Sequence, residues 1–191
     1  MMKQPQREYI WLALVVTLSG TKASAATLSE MRAINATQRP GMTVVCEQHT
    51  TFAVKGIAEP VRIDTRLSGQ VLQNDGDRMV FQVTHTQKKT GATQAFLTER
   101  YRLTTYLERD RQKMELDPAT VSVSLPFARY LEAQQIATLR ENRLSYTDYS
   151  TYRPRSLLDY DILPPPDRHD STVMHCTTRQ SEVADSGDGA P

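Results

Sequence analysis

The sequence predicts a mostly β fold of the α+β class: an antiparallel, meander-type curved sheet or half-barrel, a short N-terminal helix and one helix at about 127–143. Three observations lead to this fold class. Apolar and polar residues alternate over 61–71, which places one strand face in a core and the other in water. Turn signals at Asn74-Asp75-Gly76-Asp77 and Thr90-Gly91 separate this segment from further strand-like segments. Residues 126–143 are instead rich in helix-forming Ala, Leu, Gln, Glu and Arg.

The first 25 residues have the pattern of a secretory signal peptide. Lys3 and Arg7 precede an apolar run at 10–18, and Ala23-Ser24-Ala25 is a small-x-small cleavage site. The run is shorter than the roughly 20 residues that span a bilayer. No twin arginine precedes the run and no cysteine follows it closely. We therefore expect a Sec-type signal cleaved near Ala25 and a periplasmic or secreted mature protein without a transmembrane segment.

The rest of the chain predicts a single β-rich domain at 26–180 and a disordered tail at 181–191. The tail is polar and acidic and contains Gly, Ser and Pro, a composition that buries too little apolar surface to fold. The 23 basic and 22 acidic residues are spread along the chain, so the sequence has no basic patch of the kind that binds nucleic acid.

The elements follow in order. Residues 26–38 predict a helix, because Thr27 and Glu30 have capping-box spacing and Arg39-Pro40-Gly41 ends the segment. Residues 61–107 predict a three-stranded meander, whose last strand turns Leu97, Tyr101 and Leu103 inward and Glu99 toward solvent. We expect further strands at 44–54, 113–116, 120–125, 157–163 and 172–179.

The chain has two cysteines, Cys46 in the first predicted strand and Cys176 in the last. Two cysteines in an exported chain favour one disulfide. It would close a loop of about 130 residues and stabilise the fold by about 5 kcal/mol through the unfolded state. We therefore expect the first and last strands to be adjacent.

Cys46-x-x-His49 and His175-Cys176 also contain the residue types of a zinc site. Residues an odd number apart on a strand face opposite ways, so a regular strand cannot aim all four side chains at one ion. We therefore expect the disulfide, with no metal and no cofactor.

Catalytic signatures are weak. His169-Asp170-Ser171 has the residue types of a hydrolase triad, but adjacent residues cannot line up as nucleophile, base and orienting group. The carboxylates Glu99, Glu108, Asp110 and Glu115 lie among arginines, which predicts a salt-bridged, solvated strand face. We expect a non-enzyme, with a small hydrolase as a third hypothesis.

A cluster of tyrosines is the candidate partner or ligand surface, since tyrosine has an apolar body and a polar tip. Its members are Tyr146, Tyr149, Tyr152 and Tyr160. A strand and loop covering one end of the core is the structural alternative for the same segment.

Two functional hypotheses remain. The first is an exported non-enzymatic binding or accessory protein of the cell envelope (an inhibitor, immunity-type protein or complex subunit) with another envelope or secreted protein as its partner. The alternative is a periplasmic carrier of a lipid or other apolar ligand. The order of elements is similar in layout to periplasmic lipoprotein carriers, whose unclosed β-barrel wraps a helical lid. That layout implies a concave face lined by Leu97, Tyr101 and Leu103, with Phe127 and Leu131 in the lid. An unfilled apolar concave face would favour the carrier, and a densely packed one would exclude it.

Overall fold

The computed structural model describes residues 26–53, 58–149, 152–163 and 173–180. The signal peptide predicted at 1–25, the tail predicted at 181–191 and His169-Asp170-Ser171 lie outside these residues. Helix α1 spans Leu28–Thr37, and α2 spans Glu132–Glu141 after a 3-10 turn at Arg129–Leu131. The strands are β1 Thr43–Phe52, β2 Val61–Asn74, β3 Arg78–Lys89, β4 Leu97–Leu107, β5 Arg111–Ser124, β6 Leu144–Asp148, β7 Tyr152–Ser156, β8 Asp159–Ile162 and β9 Met174–Arg179.

The strands described form one antiparallel sheet that curls into a half-barrel. Its order is β6-β5-β4-β3-β2-β1-β9-β8-β7. The predicted fold class is confirmed, with a short N-terminal helix and one further helix after β5. The long meander β1 to β6 therefore occupies one part of the sheet, and the short strands β7 to β9 extend it beyond β1.

The predicted disulfide is present between Cys46 and Cys176. The two cysteines face each other directly across the antiparallel pair of β1 and β9, with their Cα atoms 4.0 Å apart. The predicted adjacency of the first and last strands is thus confirmed. The last strand does not end the sheet, however, because β8 pairs with the far side of β9 and β7 pairs with β8.

One strand, β5, replaces the two short strands predicted at 113–116 and 120–125. The register of β5 against β4 shifts where Pro118 falls, between the partners of Arg100 and Arg102. Proline has no amide hydrogen for the ladder, so a strand that contains it accommodates a bulge there. The Thr120 hydroxyl accepts a 2.7 Å hydrogen bond from the Arg102 amide, which provides a partner within the irregular stretch.

Helix α1 packs on one face of the sheet, called here the concave face. Its capping box forms as predicted, since the Thr27 amide donates to the Glu30 carboxylate at 2.6 Å and the Glu30 amide donates to the Thr27 hydroxyl at 3.2 Å. Its side chains Met31 and Ile34 are buried in a core cluster that also contains Val44. Among the residues described, no helix is long and apolar enough to cross a membrane.

Candidate functional site

A cavity of about 130 Å³ lies between α1 and the concave face. Its wall is mainly apolar and includes Met31, Ile34, Val44, Leu67, Phe81 and Leu103. Four methionines line it, and methionine is a flexible side chain that fits irregular or variable contents. One polar atom on the wall, the hydroxyl oxygen of Thr105, is buried and has no hydrogen-bond partner among the described residues.

An open groove of about 520 Å³ continues along the concave face toward the opposite end of the strands. Met174 of β9 lines both the cavity and the groove, so the two spaces adjoin. Apolar side chains at the outer end of the groove are Phe52, Val61, Ile63 and Phe96. Polar side chains between this rim and the cavity are Gln48, Thr50, Thr65, His85 and Gln87.

A buried acid lies beside the groove. Glu99 is only 4% exposed, and its carboxylate bonds His85 Nδ1 at 2.7 Å and accepts from the Gln135 side-chain amide of α2 at 2.8 Å. Burial alone would raise the pKa of Glu99, but the hydrogen bonds from His85 and Gln135 lower it below its usual value. The carboxylate is therefore ionised at neutral pH and accepts the hydrogen bond from His85 Nδ1, so Nε2 is the ring nitrogen that does not contact Glu99.

The expectation that Glu99 faces solvent is wrong. Residues of β4 alternate between the two faces, and Glu99 lies at the same parity as Leu97, Tyr101 and Leu103, opposite His85 of β3. Strict alternation was thus the signal in the sequence that places Glu99 inward. What the sequence does not contain is the pairing with His85 and with Gln135, which lies 36 residues away.

The tyrosines near the cavity stay uncharged. Burial, and then the Glu99 carboxylate, raise the pKa of Tyr101 to about 12, and burial raises the pKa of Tyr160 to about 12. Burial also raises the pKa of Tyr152, whose hydroxyl donates to the Gln112 side-chain carbonyl at 2.6 Å. These side chains therefore contribute aromatic surface, with no charge, to the concave side of the sheet at neutral pH.

The four tyrosines singled out in the sequence do not form one exposed surface. Tyr149, Tyr152 and Tyr160 are buried, and Tyr152 and Tyr160 line the cavity. Tyr146 is 47% exposed, with the Arg111 guanidinium 4.3 Å from its ring centroid. The cluster therefore contributes two residues to the cavity wall and one to the outer surface.

The proposed lid residues do not cover the concave face. Phe127 is 73% exposed and Leu131 is also exposed, so their assignment to a lid is wrong. The cover over the cavity is α1 instead, through Met31 and Ile34. Of the predicted lining residues, Leu103 lies on the cavity wall, and Leu97 and Tyr101 share its face of β4.

The two histidines of the candidate zinc site lie on the opposite face of the sheet from the disulfide. His49 Nδ1 bonds Asp64 at 2.9 Å and His175 Nδ1 bonds Asp161 at 3.0 Å, both on the outer face of the sheet. Within the described ranges, no group of three or more His, Cys, Asp or Glu side chains is arranged to hold a metal ion. Of the candidate carboxylates, Glu108 and Asp110 pair with Arg111, and Glu115 pairs with Lys113.

No protein-family model, curated protein or solved structure matches this chain.

Proposed function

We propose that this chain is an exported carrier that binds a lipid or another apolar ligand on the concave face. The observation that carries the proposal is the unfilled apolar cavity of about 130 Å³ that adjoins an open groove of about 520 Å³. An apolar cavity of roughly 150 Å³ in a protein stays dry and takes up an aromatic hydrocarbon. Ligand sites span roughly 300–1,000 Å³, so the groove is large enough to hold the remainder of a longer molecule.

Energetics support a ligand in the cavity. Protein cores are close-packed, and atoms around a void lose their dispersion contacts. At roughly 24 cal/mol per Å³, a cavity of 130 Å³ destabilises the protein by at most about 3 kcal/mol, since this cavity is not fully enclosed. The Thr105 hydroxyl, which has no hydrogen-bond partner among the residues that the structure describes, adds to this penalty. A ligand that fills the cavity would recover much of this free energy.

Two features support action outside the cytoplasm. The first 25 residues have the three parts of a secretory signal peptide in the right order. The disulfide between Cys46 and Cys176 is of a kind that persists in oxidising compartments. The proposed location is the periplasm or the external medium.

Binding to a protein partner is a second candidate function. Its support is an exposed apolar segment after β5, where Phe127 is 73% and Tyr130 is 83% exposed and Leu131 is partly exposed. Aromatic side chains in such positions are enriched at protein interfaces. The partner in this case would be another envelope or secreted protein.

A binding assay with Nile red, a neutral apolar dye, tests the carrier function. We expect the oxidised, exported protein to bind the dye, and Val83→Phe to weaken binding by about tenfold or more because a larger ring at this cavity wall fills the space. Val80→Phe is the matched control, since Val80 is also a buried valine of β3 but lies on the opposite face. Unfolding curves of both variants separate loss of binding from loss of folding.

Mass spectrometry of the purified protein distinguishes the two candidates. Co-purified acyl chains support the carrier. The partner-binding function predicts a different result: a protein co-purifies with the wild type and is lost from the double variant Phe127→Ser and Tyr130→Ser. If the sample also contains no lipid and binds no dye, the carrier function is overturned.

A further inference from the structure

The floor of the groove carries a polar band, defined here as Gln48, Thr65, His85 and Gln87. Gln48 of β1 faces Thr65 of β2, and Thr65 faces Gln87 of β3, so three polar side chains lie side by side across three strands. His85 lies next to them on β3, opposite Leu67. All four side chains line the groove.

The boundary between the polar band and the cavity is sharp. Cys46, Leu67 and Val83 line the cavity, and each is two residues along its strand from Gln48, Thr65 and His85 respectively. Two residues of a strand span about 7 Å. A ligand that lies along the strands therefore meets an apolar region and, within one such step, a region of hydrogen-bonding groups. This arrangement fits an amphiphile.

The charges beside the polar band favour an uncharged head group. His85 is the one titratable side chain among the described residues that line the groove. The ionised Glu99 carboxylate lies behind it and disfavours an anion. That carboxylate is buried and already bonded to His85 and Gln135, so it is not free to pair with a cation. Glutamine amides, a threonine hydroxyl and the His85 ring offer hydrogen-bonding groups to the head of such a ligand.

We propose that the ligand is an uncharged amphiphile whose hydroxyl or amide head lies in the groove against His85, Gln48 and Gln87 and whose apolar chain reaches into the cavity under α1. This inference rests on the proposed carrier function and names the substrate class of that same site. His85 is the main head-group contact, because Glu99 holds its ring from behind through Nδ1.

Competition against Nile red tests the head group. Three probes with the same ten-carbon chain are compared at pH 7: 1-decanoylglycerol, decanoate and decyltrimethylammonium. We expect 1-decanoylglycerol to displace the dye at about tenfold lower concentration than either charged probe, because burying an unpaired charge in the groove is unfavourable.

Variants test the orientation of the ligand. His85→Ala should weaken 1-decanoylglycerol binding about three- to tenfold, the effect of one lost hydrogen bond. Thr105→Val changes a residue of the cavity wall and should have little effect on the affinity for 1-decanoylglycerol. His49→Ala is the matched control, since His49 is also bonded to a carboxylate through Nδ1 but lies on the outer face. Urea unfolding verifies that each variant is folded.

Three results would overturn the inference while the carrier function stands: equal displacement by all three probes, preference for a charged probe, or an effect of Thr105→Val in place of His85→Ala. Failure of the dye and of all three probes to bind would instead refute the carrier function itself.

Discussion

Asp161 shows how one residue joins three strands at the outer face of the sheet. Its side chain is fully buried and accepts hydrogen bonds from Arg153 of β7 at 3.0 Å and from Arg155 of β7 at 3.0 Å, and it bonds His175 of β9 at 3.0 Å. Burial alone would raise the pKa of Asp161, but the hydrogen bonds from Arg153, His175 and Arg155 lower it. Both arginines are partly exposed, so the cluster lies at the protein surface.

Asp161→Asn should lower the free energy of unfolding by about 2 kcal/mol at pH 7, less than for a fully buried ion pair because the arginines can regain water. A carboxyl whose folded pKa lies below its unfolded value of about 3.9 stabilises the fold above that pH, and this contribution is lost as the pH falls through the folded pKa. The difference between wild type and variant should therefore narrow below about pH 4. Urea unfolding at pH 7 and pH 3 measures it.

Asp77→Asn serves as the control, because the Arg32–Asp77 pair has both side chains about half exposed. We expect a much smaller change than for Asp161→Asn, because solvent screens an exposed pair. Equal losses of unfolding free energy in the two variants would contradict the stabilising role of Asp161. So would a difference between wild type and Asp161→Asn that is as large at pH 3 as at pH 7.

At the scale of elements, α1 is tied to the sheet at its C-terminal end by the turn between β2 and β3. The side-chain amide of Asn74 donates to the carbonyls of Asn35 at 2.8 Å and Gln38 at 2.5 Å. The side-chain amide of Asn35 donates a 3.3 Å hydrogen bond to the Gly76 carbonyl. Gly76 has a φ of +84°, which favours glycine at this position of the turn. Because α1 covers the cavity, this turn holds the cover in place.

Asn74→Ala should destabilise the protein by about 1–2 kcal/mol, since two carbonyls at the end of α1 lose their donor. Hydrogen exchange should accelerate in α1, and thermal unfolding gives the loss of stability. Thr27→Ala, which removes the cap at the other end of the same helix, should destabilise by about 1 kcal/mol and serves for comparison. Unchanged exchange in α1 would show that the turn does not hold the helix.

Helix α2 differs from α1 in how it is held. It has no buried residue, and polar contacts attach it, such as Gln135 to Glu99 and Arg140 to the Pro118 carbonyl at 3.1 Å. Helix propensity predicted its existence, while its apolar pattern was too irregular to predict a core contact. The contacts of α2 depend on partners in β4 and β5 that no local pattern identifies.

For the whole molecule, the disulfide lies at the junction of the two parts of the sheet. It crosses from β1, the first strand of the long meander, to β9, beyond which lie β8 and β7. Cys46 and Cys176 are separated by 130 residues, so the bond encloses most of the domain. Its stabilisation acts mainly on the unfolded chain and should be large.

Removal of the disulfide should lower the free energy of unfolding by about 3–5 kcal/mol. The measurement is urea unfolding of the oxidised protein with and without dithiothreitol, which reaches the buried sulfurs as the chain unfolds. The double variant Cys46→Ala and Cys176→Ala is the control, because its unfolding should not respond to the reductant. A wild-type midpoint that is the same under both conditions would disprove this role.

Local patterns were enough to predict several features of the fold. The capping box at Thr27 and Glu30, the turn at Gly76 and the period-two strands depend on residues close in sequence, where geometry follows from backbone and side-chain chemistry. The disulfide was predictable because two cysteines allow one intramolecular pairing. These features led to the curved antiparallel sheet with β1 beside β9.

By itself, therefore, the sequence determined the fold class, the disulfide and most of the elements, although it divided β5 into two strands and did not predict β6 or β7. The tertiary structure alone decided that β8 and β7 extend the sheet beyond β9, that Glu99 meets His85 and Gln135, and that α1 covers an unfilled cavity. The reason is physical. Periodicity records which face of a strand is buried, whereas a void or a buried ionic cluster depends on how distant elements curve and meet.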